Sequence, residues 1–338
     1  MINEVYRLIA PKQISVDFVD ENVGDSVIVR PTYLSICAAD QRYYTGSRGK
    51  EVLAKKLPMA LIHEAVGKVI YDPKGEFEVG ANVVMIPNTP VESDPVIKEN
   101  YLRSSKFRAS GFDGFMQSLV FMERDRIIPF TKISERTAVL LELMSVVFNA
   151  VENFEKESHE IRKQIGIWGN GNLGFISALV LKTLYPEMEV SVIGTRMDKM
   201  SYFPFVDNVY TIDELPEDFA IDHAFECVGG SGSENAINQI IDYIRPQGSI
   251  VLMGVSENNV AINTRMVLEK GLTLLGNSRS GYGDFKNAID FLENNVRACE
   301  YMDTIISEEI EIRSIKDMST AFERDKNNNF KTVMKWNI

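Results

Sequence analysis

The sequence predicts an α/β protein of two domains, a β-rich, barrel-like domain and a doubly wound domain with a parallel sheet. Its 338 residues exceed what one hydrophobic core usually supports, so two domains are expected. Residues 1–145 contain short β-like runs separated by turn residues, a pattern typical of antiparallel sheet. Residues 160–280 alternate strand-like and helix-like segments, which indicates βαβ units around a buried parallel sheet.

The predicted elements follow from these two patterns. The strands of the first region are SVIVRPTYLSI (26–36), AVGKVIYDP (65–73), GANVVMIPN (80–88) and GFMQSLVFM (114–122). Those of the second are QIGIWG (164–169), EVSVIGT (189–195), NVYTI (208–212), IDHAFECVG (221–229), GSIVLMGV (248–255) and LTLLGNS (272–278). Helices are expected at 172–184, 233–244, 284–295 and 315–325, and a last strand at KTVMKW (331–336).

The composition excludes several functional classes. A net charge of −12 argues against nonspecific nucleic-acid binding, which needs a cationic surface. The three cysteines are widely spaced, so they imply no disulfide framework and suit a reducing compartment. The N-terminal residues lack the pattern of a signal peptide, and no run reaches the roughly 18 apolar residues that span a bilayer. We expect a cytoplasmic protein with no nucleic-acid and no membrane partner.

The segment WGNGNLG places three glycines where a dinucleotide-binding fingerprint requires them. Gly169, Gly171 and Gly174 have GxGxxG spacing, directly after a strand and at the start of a helix. The spacing allows a tight turn, close approach of a pyrophosphate and close helix–strand packing, which is the Rossmann pattern. The predicted cofactor-binding residues of this loop are Gly169, Asn170, Gly171, Asn172, Leu173 and Gly174.

The end of the next strand indicates which dinucleotide binds. An NAD site needs an acidic residue there, whereas this strand ends in Thr195 and Arg196, with Lys199 one turn further. A hydroxyl and a guanidinium suit the 2′-phosphate of NADPH. The alternative is a solvated Arg196 beside an NAD site that uses the nearby Asp198. We favour NADPH.

A metal site is one of two interpretations of Cys37 in SICAAD. Lone cysteines are usually small buried hydrophobes, but Cys37, His63 and Glu64 are also donors of the kind that zinc accepts. Spacing alone does not decide between these interpretations. Of the other histidines, His159 lies in a polar stretch and is expected to be solvated, and His223 is expected to be packed in a strand.

Several stretches together resemble the zinc-containing medium-chain dehydrogenase/reductase superfamily. They are CAAD (37–40), IHEAVG (62–67), FDGF (112–115), ELMSVVFNA (142–150) and the glycine loop. The resemblance covers essentially the whole chain. It implies a GroES-like, zinc-binding catalytic domain at 1–147 and 296–338 and an NADP(H)-binding Rossmann domain at 148–295.

The resemblance also implies the site residues. Cys37, His63 and Glu64 would be ligands of one catalytic zinc, and Glu142 a fourth ligand or the residue that holds the zinc-bound water. Asp40 would orient the His63 ring, so Asp40 and Glu64 are the predicted catalytic residues. Two alternatives stay open, because Glu142 could be a helix N-terminal charge and Asp40 a turn residue.

Two departures from the superfamily pattern are informative. In the superfamily a Ser or Thr two residues after the cysteine usually relays the substrate proton. This position is Ala39 here. The proton must take another route, for which water held by Glu64 or Glu142 is the candidate. Residues 88–114 contain no cysteine, so the four-cysteine structural zinc site of many relatives is expected to be absent.

Within the superfamily, SICAADQRYYTGSRG (35–49) and the acidic, cysteine-poor character resemble the ribulose-5-phosphate reductases. That resemblance implies an NADPH-dependent reduction of D-ribulose 5-phosphate to D-ribitol 5-phosphate, a precursor step for CDP-ribitol and for teichoic-acid-type wall or capsule polymers. The candidates for binding the phosphate are Arg42, Arg48, Lys50 and Arg279.

Two alternative functions stay open, and several partners are expected. A zinc polyol or alcohol dehydrogenase acting on an unphosphorylated substrate is the alternative enzyme. A nucleotide-sensing protein without catalysis is a minor alternative, which only Ala39 supports. The expected partners are the phosphosugar, further copies of the chain in a homodimer or homotetramer, and, as a further candidate, a cytidylyltransferase.

Overall fold

The computed structural model describes residues 1–338, which divide into two compact units. The first unit is formed by Met1–Ser145 together with Ser280–Ile338, and the second by Val146–Arg279. The first contains a mostly antiparallel sheet and the second a parallel sheet, so the predicted α/β class with two domains is confirmed. No helix in the structure has both the length and the apolar character needed to cross a membrane.

The helices and strands have the following bounds. The N-terminal part of the first unit contains β1 (Ile2–Ala10), β2 (Gln13–Asp20), β3 (Val27–Ser35), α1 (Ala38–Tyr44), α2 (Lys50–Lys56), β4 (Met59–Ala60), β5 (Glu64–Tyr71), β6 (Asn82–Met85), β7 (Asn88–Thr89), β8 (Lys106–Phe107), β9 (Val120–Met122), β10 (Ile127–Pro129), α3 (Glu135–Ala138) and the start of α4 (Leu141–Glu157). The second unit contains β11 (Gln164–Trp168), α5 (Asn172–Leu184), β12 (Glu189–Gly194), α6 (Met197–Met200), β13 (Asn208–Thr211), β14 (His223–Glu226), α7 (Ser233–Tyr243), β15 (Ser249–Leu252), α8 (Thr264–Lys270) and β16 (Thr273–Gly276). The C-terminal part of the first unit adds α9 (Tyr282–Asn294), α10 (Val296–Thr304), β17 (Ile306–Ile312), α11 (Ile315–Asp325) and β18 (Lys331–Trp336).

The first unit combines strands from both ends of the chain in one sheet. Its main sheet has the order β10-β6-β5-β3-β18-β17, and β9 pairs with β3. Neighbouring strands are antiparallel except β17 and β18, which are parallel. Pairing of β18 with β3 sets Val333 opposite Ser35, two residues before Cys37. The C-terminal strand therefore lies beside the segment that contains the predicted cysteine ligand.

The second unit is a six-stranded parallel sheet with the order β13-β12-β11-β14-β15-β16. The apolar runs of β11, β12 and β14 are almost wholly buried, as expected for strands of a parallel sheet. Chain order reverses between β11 and β14, because β12 and β13 lie on one side of β11 and the later strands on the other. The loops that follow β11 and β14 are therefore neighbours at the carboxyl edge of the sheet.

The structure divides the chain differently from the prediction over 280–295, which the prediction assigned to the nucleotide-binding domain. In the structure this stretch, mainly α9, belongs to the first unit. Glu293 accepts hydrogen bonds from the backbone N–H groups of Thr131 (2.6 Å) and Lys132 (3.1 Å). At the other end of α9, the backbone N–H of Tyr282 donates to Glu99 (2.8 Å). These partners lie far away in sequence, so the helical pattern alone could not assign the helix.

Candidate active site

The first helix begins directly after Cys37 and places this thiol beside a buried carboxylate. Asp40, in the first turn of α1, accepts a hydrogen bond from the backbone N–H of Cys37 through Oδ2 (3.2 Å). Its Oδ1 accepts the backbone N–H of Ile62 (3.0 Å), and its Oδ2 lies 3.6 Å from Nδ1 of His63. Asp40 is fully buried. It therefore holds together the two segments that supply the predicted cysteine and histidine ligands.

The backbone just before His63 has a left-handed conformation. Ile62 has φ +71°, a value that glycine adopts far more readily than a β-branched residue. Ile62 therefore has a conformation that its own side chain disfavours and that the surrounding structure must stabilise. Gly114 of FDGF packs directly on this turn, because a Cβ on it would lie 2.3 Å from the carbonyl oxygens of Leu61 and Ile62. Two stretches that are distant in sequence thus meet backbone to backbone beside the candidate site.

His63 is buried among acidic neighbours. Burial by itself lowers the pKa of His63, but the Asp40 carboxylate and then Cys37 outweigh that effect and raise the pKa well above its usual value. The ring of Phe107 lies 5.5 Å from the imidazole, centroid to centroid. A metal ion binds the neutral imidazole, so metal binding at this residue would release a proton.

Glu64 forms a buried ion pair that the sequence analysis missed. Nζ of Lys331 donates to both carboxylate oxygens of Glu64, at 2.6 and 2.7 Å, and to the carbonyl oxygen of Ile36 at 3.2 Å. Burial lowers the pKa of Lys331, yet the Glu64 carboxylate raises it above the usual range for lysine. The available signal was a lysine at the start of KTVMKW, a run otherwise typical of a buried strand.

Glu142 lies in the first turn of α4 and is also buried. Burial, together with repulsion from the nearby Glu64 carboxylate, raises the pKa of Glu142 to about 7, although His63 acts in the opposite direction. The position agrees with the alternative interpretation of Glu142 as a helix N-terminal charge, but its burial beside His63 and Glu64 also keeps it a candidate ligand.

The potential metal donors fall into two overlapping groups that share His63. One potential ligand atom each of Cys37, Asp40 and His63 lies within 4.8 Å of the others, and the same holds for His63, Glu64 and Glu142. A thiolate, an imidazole and a carboxylate are donors that zinc prefers. The donor set, its burial and the carboxylate beside the imidazole fit a zinc ion.

The glycine loop of the second unit has the backbone that the fingerprint requires. Gly169 has φ +115°, and a Cβ on Gly174 would lie 1.8 Å from the Gly169 carbonyl oxygen. Gly171 has no atom within 4 Å of where its Cβ would be, so this side of the loop is open to a ligand. Asn170 donates from Nδ2 to the carbonyl oxygen of Arg196 (2.7 Å). The loop is therefore tied to the end of β12, where the predicted ribose-binding residues lie.

Asn172 and Leu173 begin α5, whose first N–H groups face a ligand placed on this loop. At the end of β12, Arg196 follows Thr195 and pairs with Asp198 through Nε (2.8 Å) and Nη2 (2.7 Å). The Arg196 side chain is 56% exposed, so water screens this pair. Arg196, the residue that favours NADPH, and Asp198, the residue that an NAD site would use, thus form an ion pair with each other.

The rings of the two remaining histidines lie close together, 4.2 Å apart between centroids and tilted by 48°. His223 is fully buried, as predicted, and its Nδ1 accepts the backbone N–H of Ser249 (3.1 Å) while Nε2 lies 3.1 Å from the carbonyl oxygen of Ile161. Burial lowers the pKa of His223 to about 4. His159, which was expected to be solvated, is only partly exposed, because one side of its ring lies against His223.

The predicted phosphate-binding residues come from both units. Arg42 and Arg48 belong to the first unit, in and after α1, and the guanidinium of Arg48 lies 4.8 Å from the ring centre of Tyr43. Lys50 is exposed at the start of α2. Arg279 belongs to the second unit.

Comparison with known proteins covers both units. The family model for the alcohol dehydrogenase GroES-like domain matches residues 24–132, and the model for the glucose dehydrogenase C-terminus matches 135–336. The chain is 52% identical over 341 residues to the ribulose-5-phosphate reductase of Bacillus spizizenii, with all of both chains covered. It is 46% identical to the enzyme of the same name from Streptococcus pneumoniae, covering 100% of this chain and 98% of that one.

Two solved structures are similar to this chain over nearly its whole length. The structure of Staphylococcus aureus TarJ in complex with NADPH matches with a TM-score of 0.90 and 47% identity, with all of both chains covered. The L-idonate 5-dehydrogenase of Escherichia coli matches with a TM-score of 0.85 at 21% identity, covering 99% of this chain and 98% of that one. This second match supports the fold alone. The predicted pairing of a GroES-like domain with a Rossmann-type domain is confirmed.

Proposed function

The chain belongs to the medium-chain dehydrogenase/reductase superfamily and, within it, to the ribulose-5-phosphate reductases, and on that premise we propose that it reduces D-ribulose 5-phosphate to D-ribitol 5-phosphate with NADPH. Full-length identity of 52% to a reductase of that name is the observation that supports the proposal most. The activity makes it an NADP-dependent oxidoreductase acting on CH–OH groups. Its product would serve the synthesis of ribitol-phosphate wall polymers.

NADPH as the cofactor is supported by the TarJ complex and by this chain's own residues. The open backbone at Gly171 and the first N–H groups of α5 would receive the pyrophosphate. Thr195 and Arg196 would bind the 2′-phosphate. For that, Arg196 has to exchange its carboxylate partner Asp198 for the phosphate, or share its donors between them.

We assign the zinc to Cys37, His63 and Glu142. Glu64 was predicted as a ligand, and it stays a candidate, but both of its oxygens contact Lys331. Three protein donors with one open position are typical of catalytic zinc, which supplies polarisation of a carbonyl oxygen and stabilises the negative charge that develops there. Asp40 would hold the His63 ring in place, and Lys331 would keep Glu64 directed away from the open position.

The proton of the product alcohol needs a route that does not use residue 39. Ala39 has no hydroxyl, so the side chain itself relays nothing. We keep water held by Glu64 or Glu142 as the proposed route, because one oxygen of each carboxylate lies within 4.8 Å of a ring nitrogen of His63.

The experiment is a substrate and metal test on the purified full-length protein. Oxidation of NADPH is followed with D-ribulose 5-phosphate and with D-ribulose, before and after chelation, and with Cys37→Ser. We expect turnover of the phosphorylated ketose that chelation abolishes and added zinc restores. Equal turnover of unphosphorylated ribulose would favour the polyol dehydrogenase alternative, and full activity without metal would contradict the zinc assignment.

A further inference from the structure

Glu226 is a buried carboxylate that nothing in the proposed chemistry uses. It is the last residue of β14, only about 1% of it is exposed, and no cationic side chain lies within ion-pair distance of it. Its Oε1 accepts the backbone N–H groups of Val228 (2.9 Å) and Gly229 (3.0 Å) and, at 3.3 Å, the hydroxyl of Ser233. Its Oε2 accepts the backbone N–H of Gly254 (3.0 Å). Neutral donors of the backbone thus satisfy a buried negative charge.

The three backbone donors belong to two loops at the carboxyl edge of the parallel sheet, and Ser233 is the first residue of α7. One loop, 227–230, follows β14, and the other, 253–255, follows β15. A further hydrogen bond, from the N–H of Gly230 to the carbonyl oxygen of Val255 (2.9 Å), joins the loops directly. A Cβ on Gly254 would lie 2.5 Å from both Glu226 oxygens and 2.4 Å from the nitrogen of Gly229. The two backbones are packed against the carboxylate with no room for another side chain.

The first of these loops is the immediate neighbour of the glycine loop. Cys227 donates its N–H to the carbonyl oxygen of Trp168 (2.8 Å), and a Cβ on Gly169 would lie 2.9 Å from the backbone of Cys227. Strand order reverses between β11 and β14, and ligands of such sheets bind outside the carboxyl ends at that point. The adenosine side is marked by Thr195 at the end of β12, on one side of the glycine loop. The nicotinamide half must then lie on the other side, over loops 227–230 and 253–255.

We propose that Glu226 is a positioning residue for the nicotinamide half of the dinucleotide. Its carboxylate fixes both loops in the conformation that receives this half, and it acts through their backbones rather than by touching the cofactor. Val228 and Val255 stay 42% and 59% exposed although their backbones are held, so the apolar side chains are available to a ligand. This inference rests on the proposed NADPH dependence.

The substitution Glu226→Gln separates this role from general stability. Glutamine keeps one acceptor oxygen, but its NH2 group would face an N–H donor in place of the second acceptor, so one loop loses its tether. Asp222→Asn is the matched control, because Asp222 is a buried carboxylate just before the same strand. It accepts the backbone N–H groups of Lys163 and Gln164 at the opposite edge of the sheet.

The measurement is the dissociation constant of NADPH and that of adenosine 2′,5′-bisphosphate, which lacks the nicotinamide half, on the full-length protein. For Glu226→Gln we expect NADPH to bind about tenfold more weakly and the bisphosphate to bind within twofold of the wild type. For Asp222→Asn we expect both constants within twofold even if the melting temperature falls. Unchanged NADPH binding, or an equal loss for both ligands, would overturn the inference.

Two further outcomes keep the test decisive. If Glu226→Gln does not fold, Ser233→Ala removes one donor from the same oxygen, and we expect NADPH affinity to fall two- to threefold with bisphosphate affinity unchanged; no change would refute the inference. Wild-type protein that binds NADPH but does not turn over D-ribulose 5-phosphate would contradict the proposed substrate and leave the role of Glu226 to be decided by the same constants.

Discussion

The ammonium of Lys331 lies 2.6 and 2.7 Å from the two carboxylate oxygens of Glu64, and both side chains are buried. The residues are 267 positions apart in the chain. One follows directly on the predicted histidine ligand, and the other begins the C-terminal strand. This pair fixes the charge and direction of a carboxylate at the edge of the candidate metal site.

Lys331→Met should destabilise the protein strongly. Removing the ammonium leaves the Glu64 carboxylate buried without its counter-charge, a change that costs about 3–5 kcal/mol. Lys335→Met is the control, because Lys335 lies on the same strand and is exposed, and it should change the free energy of unfolding by less than about 0.5 kcal/mol. Chemical denaturation of the metal-free proteins measures both values. Equal, small effects would show that the pair does not stabilise the fold.

Asp40→Asn should weaken zinc binding about 10- to 100-fold, because the amide cannot accept from the Cys37 N–H and face the His63 ring as the carboxylate does. Competition with a coloured chelator measures the affinity. Asp72→Asn is the control, since the Asp72 side chain is as little exposed as that of Asp40, lies in the same unit and binds Arg124 and the backbone of 74–77. Its loss should lower stability and leave zinc affinity unchanged. A similar drop in affinity for both variants would contradict the role given to Asp40.

Arg196→Ala should lower the affinity for NADPH by roughly tenfold and leave NADH almost unaffected, because only NADPH has the 2′-phosphate. Asp198→Asn removes the carboxylate that now pairs with Arg196, so it should leave NADPH affinity unchanged or improve it a few-fold. Michaelis constants for both cofactors measure the effect. If Arg196→Ala weakens NADH as much as NADPH, the residue has no part in selecting the phosphate.

Acid should destabilise the second unit through His223. The pKa of His223 is lowered to about 4 in the folded protein, whereas an unfolded histidine has a pKa near 6.5. Below about pH 6.5 the unfolded state therefore binds a proton that the folded state does not, and the folded state loses stability relative to it. The contribution of neutral His223 to the free energy of unfolding is complete above about pH 6.5. It is smaller by about 2 kcal/mol at pH 5 and is almost gone at about pH 4. Unfolding at pH 7 and pH 5 measures the slope. His223→Gln should have a shallower slope than the wild type, and an equal slope would exclude His223 as the source.

Local patterns in the sequence were sufficient for much of the second unit. The helix at 172–184 has the predicted bounds, and six predicted strands each contain an observed one. Their strand pairing joins distant residues, but each element has a local signal in its apolar period and its flanking turn residues, which is why periodicity and the glycine fingerprint indicated them. The GxGxxG loop at Gly169 belongs to this class, because its turn, its strand and its helix are contiguous.

Features that depend on distant partners could not be predicted. The run at 114–122 was expected to be a strand, yet only Val120–Met122 is one, because Gly114 packs on the backbone of 61–62. Lys331 was treated as an ordinary strand residue, since nothing near it in sequence indicates a buried carboxylate. The pairing of Arg196 with Asp198 was also missed, although the residues are two apart, because composition does not tell which side chains turn towards each other.

Because the first unit is closed by the C-terminal strand, the order of synthesis limits when the candidate metal site can form. Residues 146–279 are contiguous, so the second unit can fold as soon as they leave the ribosome. Cys37, His63 and Glu64 are made long before Lys331, and until that residue emerges Glu64 has no counter-charge. A nascent or truncated chain that stops before Lys331 therefore has the candidate zinc donors without their finished surroundings.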